Sequence, residues 1–138
     1  MSAGRAFVDT NILVYLFSVN SADEPKRQCA YDALEQHECL ISTQVINEFC
    51  NFCVKKTKTP KEKIQEYISQ IREYCGLTYV DEDTIDQALE IHTKYGYSYY
   101  DSLMISSALE SDCKYLLSED LADGQVIDGS LTIKNIFT

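Results

Sequence analysis

The chain has 138 residues, 45% of them hydrophobic and 25% charged, a length and balance that let one domain bury a core without disulfides or metals. No apolar run is long enough to span a bilayer, and no charged lead followed by an apolar segment opens the sequence, so a cytoplasmic protein is expected. A formal net charge of −10 argues against gripping nucleic acid by bulk electrostatics, which needs a basic face; if such a chain works on nucleic acid, cations must bridge the two.

The apolar run Ala6-Phe7-Val8 meets Asp9 and is followed by Ile12, Leu13, Leu16 and Phe17 at helical spacing. This predicts a buried strand ending at Asp9 and turning at once into a helix over Thr10 to Phe17. Pro25 suits the first turn of a second helix running to about Gln36. Cys39-Leu40-Ile41 reads as a second buried strand. Ser42 is placed to cap a third helix whose stripe is Val45, Ile46, Phe49, Phe52 and Cys53, with Glu48 on its edge.

Thr59-Pro60-Lys61-Glu62 combines capping-box spacing with proline at the first helical position, so a fourth helix starts there and Gly76 is its expected stop. Leu77 to Val80 is a third strand. Asp81 or Asp83 opens a fifth helix closed by Gly96, and Ser98 caps a sixth with Asp101 in its first turn, where the helix dipole favours an ionised carboxylate. Tyr115-Leu116-Leu117 is a further strand ending at Ser118-Glu119-Asp120, and a last strand is expected around Leu131 to Ile133. Short strands alternating with helices imply a parallel sheet wrapped on both faces.

Asp9 and Asp120 follow apolar strands directly, and open α/β sheets bind their ligands at the carboxyl ends of strands. Glu48 and Asp101 sit early in helices that open near the same edge. If the four converge with pairs about 5 Å apart, each ionised pair repels by about 3 kcal/mol at an effective dielectric near 20. Protonation or a divalent cation would relieve this, and an all-oxygen set suits Mg²⁺ or Mn²⁺ rather than Zn²⁺. Taken singly, Asp101 could be only a helix cap, Asp120 a turn residue and Glu48 the partner of a lysine.

Phe7-Val8-Asp9-Thr10-Asn11-Ile12-Leu13, Ile41-Ser42-Thr43-Gln44-Val45-Ile46-Asn47-Glu48-Phe49, Tyr99-Tyr100-Asp101-Ser102-Leu103-Met104-Ile105 and Leu117-Ser118-Glu119-Asp120-Leu121 resemble, in order and spacing, the four motifs of PIN-domain nucleases. The nearest type is the single-domain ribonuclease toxin of VapBC toxin–antitoxin pairs. The resemblance implies an α/β/α sandwich around a short, mainly parallel sheet, with residues 1–138 forming a single PIN-like nuclease domain. It also implies a Mg²⁺- or Mn²⁺-dependent ribonuclease that uses Asp9, Glu48 and Asp101, with Asp120 as the fourth acid. Glu119 and Asp123 compete with Asp120 for that place. Asn11 and Ser118 match positions that support the acids by hydrogen bonding. An RNA substrate, products with a 5′-phosphate and a 3′-hydroxyl, a homodimer and a cognate antitoxin covering the site follow from the same likeness. Asn135-Ile136-Phe137 stands where relatives often have Asn-Pro-Phe, and only a local change is expected.

Other features carry plainer readings. Lys55, Lys56, Lys58, Lys61 and Lys63 could guide an RNA backbone, but a solvated inter-helix turn explains them as simply. Tyr95, Tyr97, Tyr99 and Tyr100 crowd the approach to Asp101 and are read as packing residues before base-stacking ones. The six cysteines, without a leader, read mostly as buried thiols. Cys50 and Cys53 are spaced like a redox motif, but one turn apart on a helix their Cβ atoms stand about 5–6 Å apart, too far for an unstrained disulfide. His37 and His92 are given no role. A haloacid-dehalogenase-like phosphatase is disfavoured because its second aspartate would fall at position 11, which is Asn. A PIN-fold binding module without catalysis is the non-enzymatic alternative, against which the presence of all four acids argues.

Overall fold

A computed structural model describes residues 4–138. Its strands are β1 (Arg5–Val8), β2 (Glu38–Ser42), β3 (Cys75–Thr78), β4 (Tyr115–Leu117), β5 (Val126–Ile127) and β6 (Leu131–Lys134). The helices are α1 (Thr10–Leu16), α2 (Glu24–Gln36), α3 (Thr43–Lys55), α4 (Lys61–Tyr74), α5 (Glu82–Tyr95) and α6 (Tyr99–Glu110). The strands form one sheet in the order β3-β2-β1-β4-β6-β5, parallel throughout except where β5 meets β6. Helices cover both faces, giving the three-layer α/β/α sandwich expected from the sequence.

Burial on both faces accounts for the near-continuous apolar strands: Phe7, Ile41, Leu116, Leu117 and Ile133 are fully buried. Between α1, α3 and α4 the core is aromatic, with Phe17 stacked on Tyr67 at 4.3 Å between ring centroids and tilted against Phe49 at 5.8 Å. Among the described residues no helix is long and apolar enough to cross a membrane.

Sheet order decides where a site can form. From β1 the chain proceeds outward through β2 to β3 on one side, while β4 lies on the other, so β1 and β4 flank a topological switch point, where open sheets leave a crevice. Their register pairs Val8 with Leu117, and the Asp9 amide continues the ladder by donating to the Leu117 carbonyl at 3.0 Å. Ser118 and the two acids after it therefore emerge beside Asp9.

The caps expected at Ser42 and Ser98 are present, and Asp81 makes a full capping box with Thr84. Gly96, at φ 80°, closes α5 in the left-handed conformation that a residue without Cβ adopts freely. Three expectations need correction. Gly76 does not stop α4: the helix ends at Tyr74, Cys75 is already extended, and Gly76 pairs with Leu40 inside β3. A Cβ at Gly76 would stand 2.6 Å from Leu40 Cδ2, so the end of that flexible side chain would have to turn aside, and β3 runs from Cys75 to Thr78 rather than to Val80. Pro60 is the residue before α4 rather than its first, at φ −62° and ψ 149°, and no side chain caps that helix; proline's fixed φ serves either position. The two-residue β5 was not foreseen, being too short to carry a period of its own.

Candidate active site

Asp9 is built by the turn from β1 into α1. It stands in extended conformation as the N-cap, and one carboxylate oxygen accepts from the Thr10 amide at 2.6 Å. The other oxygen accepts from the Ser118 hydroxyl at 2.7 Å and, more distantly, from the Asn11 side-chain amide at 3.4 Å. Only 8% of Asp9 is exposed. Burial pushes its pKa up to about 6 against the hydrogen bonds from Ser118 and Thr10, which favour the anion, and the charges of Glu48 and Asp120 raise it further.

Glu48 enters from the second turn of α3. One of its oxygens accepts from Thr10 Oγ1 at 2.7 Å, and the other lies 3.4 Å from Gln44 Nε2. Asp101 is held in the first turn of α6, where its amide donates to Ser98 Oγ at 3.2 Å. Asp120 accepts from the Asn11 amide at 2.9 Å, while its own amide donates to Ser118 Oγ. Asn11 thus gives its two N–H groups to two different acids. All four acids line one cleft of about 410 Å³, together with Thr10 and Asn11.

The three candidates for the fourth acid separate here. Asp120 faces the cleft, Glu119 is engaged by Lys26 and Tyr15, and Asp123 accepts from the Asn135 amide at 2.8 Å. Asn11 and Ser118 both donate to Asp9 Oδ2. Sequence reading passed over Thr10 and Gln44, which donate to Glu48. A position four residues before an acid on the same helix was the available signal for Gln44.

The weaker features resolve plainly. Tyr95 donates to Asp128 at 2.8 Å, Tyr97 bonds Gln125, Tyr99 is half-buried and Tyr100 is largely exposed. All five lysines are exposed, but only Lys56 and Lys58 lie in the inter-helix turn expected for them: Lys55 ends α3, and Lys61 and Lys63 fall in the first turn of α4. Of these, Lys58 and Lys63 border an apolar groove of about 530 Å³ that shares Val14 and Phe52 with the acidic cleft. Cys50 and Cys53 are free thiols, as are the other cysteines; four of the six are buried, whereas Cys29 is exposed. The rings of His37 and His92 bond the carbonyls of Ala33 and Tyr97.

None of the ion pairs among the described residues involves Asp9, Glu48, Asp101 or Asp120. Nor, among those residues, do three acid, histidine or cysteine side chains stand as a ready-made chelate. Mg²⁺ does not require one, since it is usually held by one or two carboxylates and keeps several waters. The donors are all hard oxygens, and the buried Asn11 Oδ1 has no hydrogen-bond partner, leaving an acceptor for a water or a cation beside the acids. The residues present therefore fit a hydrated divalent ion.

The PIN domain family model matches residues 6–122. No curated protein matches the chain in sequence. Among solved structures, a toxin–antitoxin complex from Klebsiella pneumoniae aligns with a TM-score of 0.70 at 19% identity, covering 95% of this chain and 97% of the other. VapBC2 of Rickettsia felis, bound to a DNA fragment from their promoter, aligns at 0.67 with 18% identity, covering 95% and 99%. The sarcin-ricin loop cleaving toxin VapC20 of Mycobacterium tuberculosis aligns at 0.65 with 17% identity, covering 83% and 91%. At these identities the likeness establishes a shared fold.

Proposed function

Because the chain belongs to the PIN domain family, we propose that it is a Mg²⁺- or Mn²⁺-dependent endoribonuclease and the toxin of a toxin–antitoxin pair. One observation carries this reading: four carboxylates border a single cleft, Asp9 buried among them, and the described residues supply them with no ion-pair partner.

In this reading Asp9, Glu48 and Asp101 hold the ion, with Asp120 as the fourth ligand. Bound there, Mg²⁺ or Mn²⁺ supplies Lewis acidity that lowers the pKa of a water and offsets charge on the phosphate. The chain's own residues prepare the place. Ser118 and the Thr10 amide orient Asp9 and favour its anion, Thr10 Oγ1 fixes Glu48, and Asn11 spans Asp9 and Asp120. Elsewhere the net charge of −10 repels a phosphodiester backbone, so RNA is held best where a cation stands between it and the acids.

The partner proposed is an antitoxin, a reading supported by solved neighbours that include a toxin–antitoxin complex and a VapBC pair. The apolar groove rimmed by Lys58 and Lys63 suits an apolar segment carrying acidic residues, and a basic side chain on the same partner would be drawn to the carboxylates. We further propose a homodimer acting in the cytoplasm, each copy a single nuclease domain.

The experiment is RNA cleavage by the purified chain with Mg²⁺, with EDTA, and after Asp9→Ala, Glu48→Ala or Asp101→Ala. Cleavage should require the ion and fall by roughly 10²–10³-fold in each variant, the scale of losing a preorganised electrostatic group, with circular dichroism unchanged. Full activity in a purified Asp9→Asn protein would sink the mechanism.

A further inference from the structure

Gln44 is a polar residue that apolar packing does not call for. It is the second residue of α3, on a side of that helix otherwise filled by Val45 and Phe49, and only 8% of it is exposed. Its Nε2 donates to the Tyr100 carbonyl at 2.9 Å and lies 3.4 Å from Glu48 Oε2. Its buried Oε1 has no partner. Turning the amide over would set its oxygen against two acceptors, so chemistry fixes this orientation. The side chain thus satisfies its donor end and leaves its acceptor end unpaired, an arrangement with a net cost unless the donors serve a purpose.

Both acceptors sit next to the acids. Glu48 is one of them, and Tyr100 immediately precedes Asp101 in the first turn of α6. Glu48 receives Thr10 Oγ1 on its other oxygen, and Thr10 follows Asp9. The result is a polar path from Asp9 through Thr10 to Glu48, and from Glu48 through Gln44 to the backbone that carries Asp101. Helix α6 packs chiefly on α5, so a bond tying its first turn to α3 bears directly on where Asp101 stands relative to Glu48.

We infer that Gln44 is a positioning residue that sets Glu48 and Asp101 in register for a divalent ion. The inference rests on the ribonuclease reading above. Gln44 is absent from the lining of the cleft and acts through its two neighbours.

The test is Gln44→Met, which keeps the bulk and removes both donors, with Gln44→Leu beside it. Mn²⁺ binding to the full chain is measured by electron paramagnetic resonance, alongside thermal melting and RNA cleavage. Affinity for Mn²⁺ should weaken by about tenfold, at the lower end of what loss of an outer-sphere partner costs, while the melting temperature changes little, because removing an unpaired buried oxygen offsets the lost bond to the Tyr100 carbonyl. At saturating Mn²⁺, kcat should fall with KM for RNA unchanged. Equal Mn²⁺ affinity in wild type and variants overturns the role of Gln44 and leaves the ribonuclease reading standing. Weaker binding accompanied by a lower melting temperature in both variants makes Gln44 a core residue and overturns it too. A wild-type chain that binds no Mn²⁺ removes the metal reading and the role of Gln44 with it.

Discussion

Two consecutive carboxylates leave the end of β4 and meet opposite surroundings. Glu119 accepts from Lys26 Nζ at 2.5 Å and from the Tyr15 hydroxyl at 3.0 Å, and that ammonium also lies 4.5 Å from the centre of the Tyr15 ring. Asp120 takes a bond from the neutral amide of Asn11 at 2.9 Å. Asn11 and Tyr15 are one turn apart on α1, so a single helix face borders an acid paired with a cation and another bonded by a neutral amide. The chain can therefore pair an acid at this edge of the sheet, and does so for Glu119. Around Asp9 it supplies neutral donors instead, which orient carboxylates without cancelling their charge. Such a cleft retains its attraction for an external cation.

The comparison breaks most sharply if an ammonium is placed in the cleft. Asn11→Lys should bring the Lys26 arrangement into the acids, cutting Mg²⁺-dependent cleavage by on the order of a hundredfold or more while raising the melting temperature of the metal-free protein. Cleavage assays and thermal melts at low salt measure both. Undiminished cleavage would mean that accumulated charge is not what the cleft provides.

A smaller effect concerns the burial of one charge. With its pKa raised from 3.8 to about 6, Asp9 is easier to bury protonated than ionised. Its favourable contribution is complete below about pH 4 and is lost as pH rises through about 6. Above that the buried anion costs up to about 3 kcal/mol. Asp9→Asn should therefore match the wild type near pH 4 and exceed it in stability at pH 7 to 8, by no more than that amount. Saturating Mg²⁺ should narrow the gap by stabilising the wild type alone. Denaturant titrations across this pH range read the difference, and a gap independent of pH would contradict the assignment of strain to Asp9.

The smallest change is expected on the neutralised side. Lys26→Met leaves Glu119 without its cation, yet the pair is partly solvated, with 39% of the lysine side chain and 25% of the glutamate's exposed. A slight fall in melting temperature, largely reproduced in the wild type by high salt, is anticipated. The cleavage rate should stay unchanged.

How much of this was legible in the sequence follows from the range of each interaction. The caps at Ser42, Asp81 and Ser98 are bonds to amides three residues on, and apolar runs mark strands buried on both faces, so both features appear as local patterns. Where two local solutions are equally good, the sequence does not choose. Gly76 can end a helix or lie within a strand, and Pro60 can precede a helix or begin it. The acids themselves stood out at strand ends and helix starts.

From the order of its residues alone, the chain determined an alternating α/β fold, the caps at Ser42 and Ser98 and the four acids near one edge of a sheet. Tertiary structure decided that Ser118 reaches Asp9 across 109 positions, that Thr10 and Gln44 hold Glu48 from two sides, and that Asp120 rather than Glu119 or Asp123 borders the cleft. The reason is physical: backbone preference and hydrophobic period act over a few residues and leave a trace in the sequence. Which side chains meet at the edge of a parallel sheet depends on strand order and register, and those are fixed only when the whole core packs.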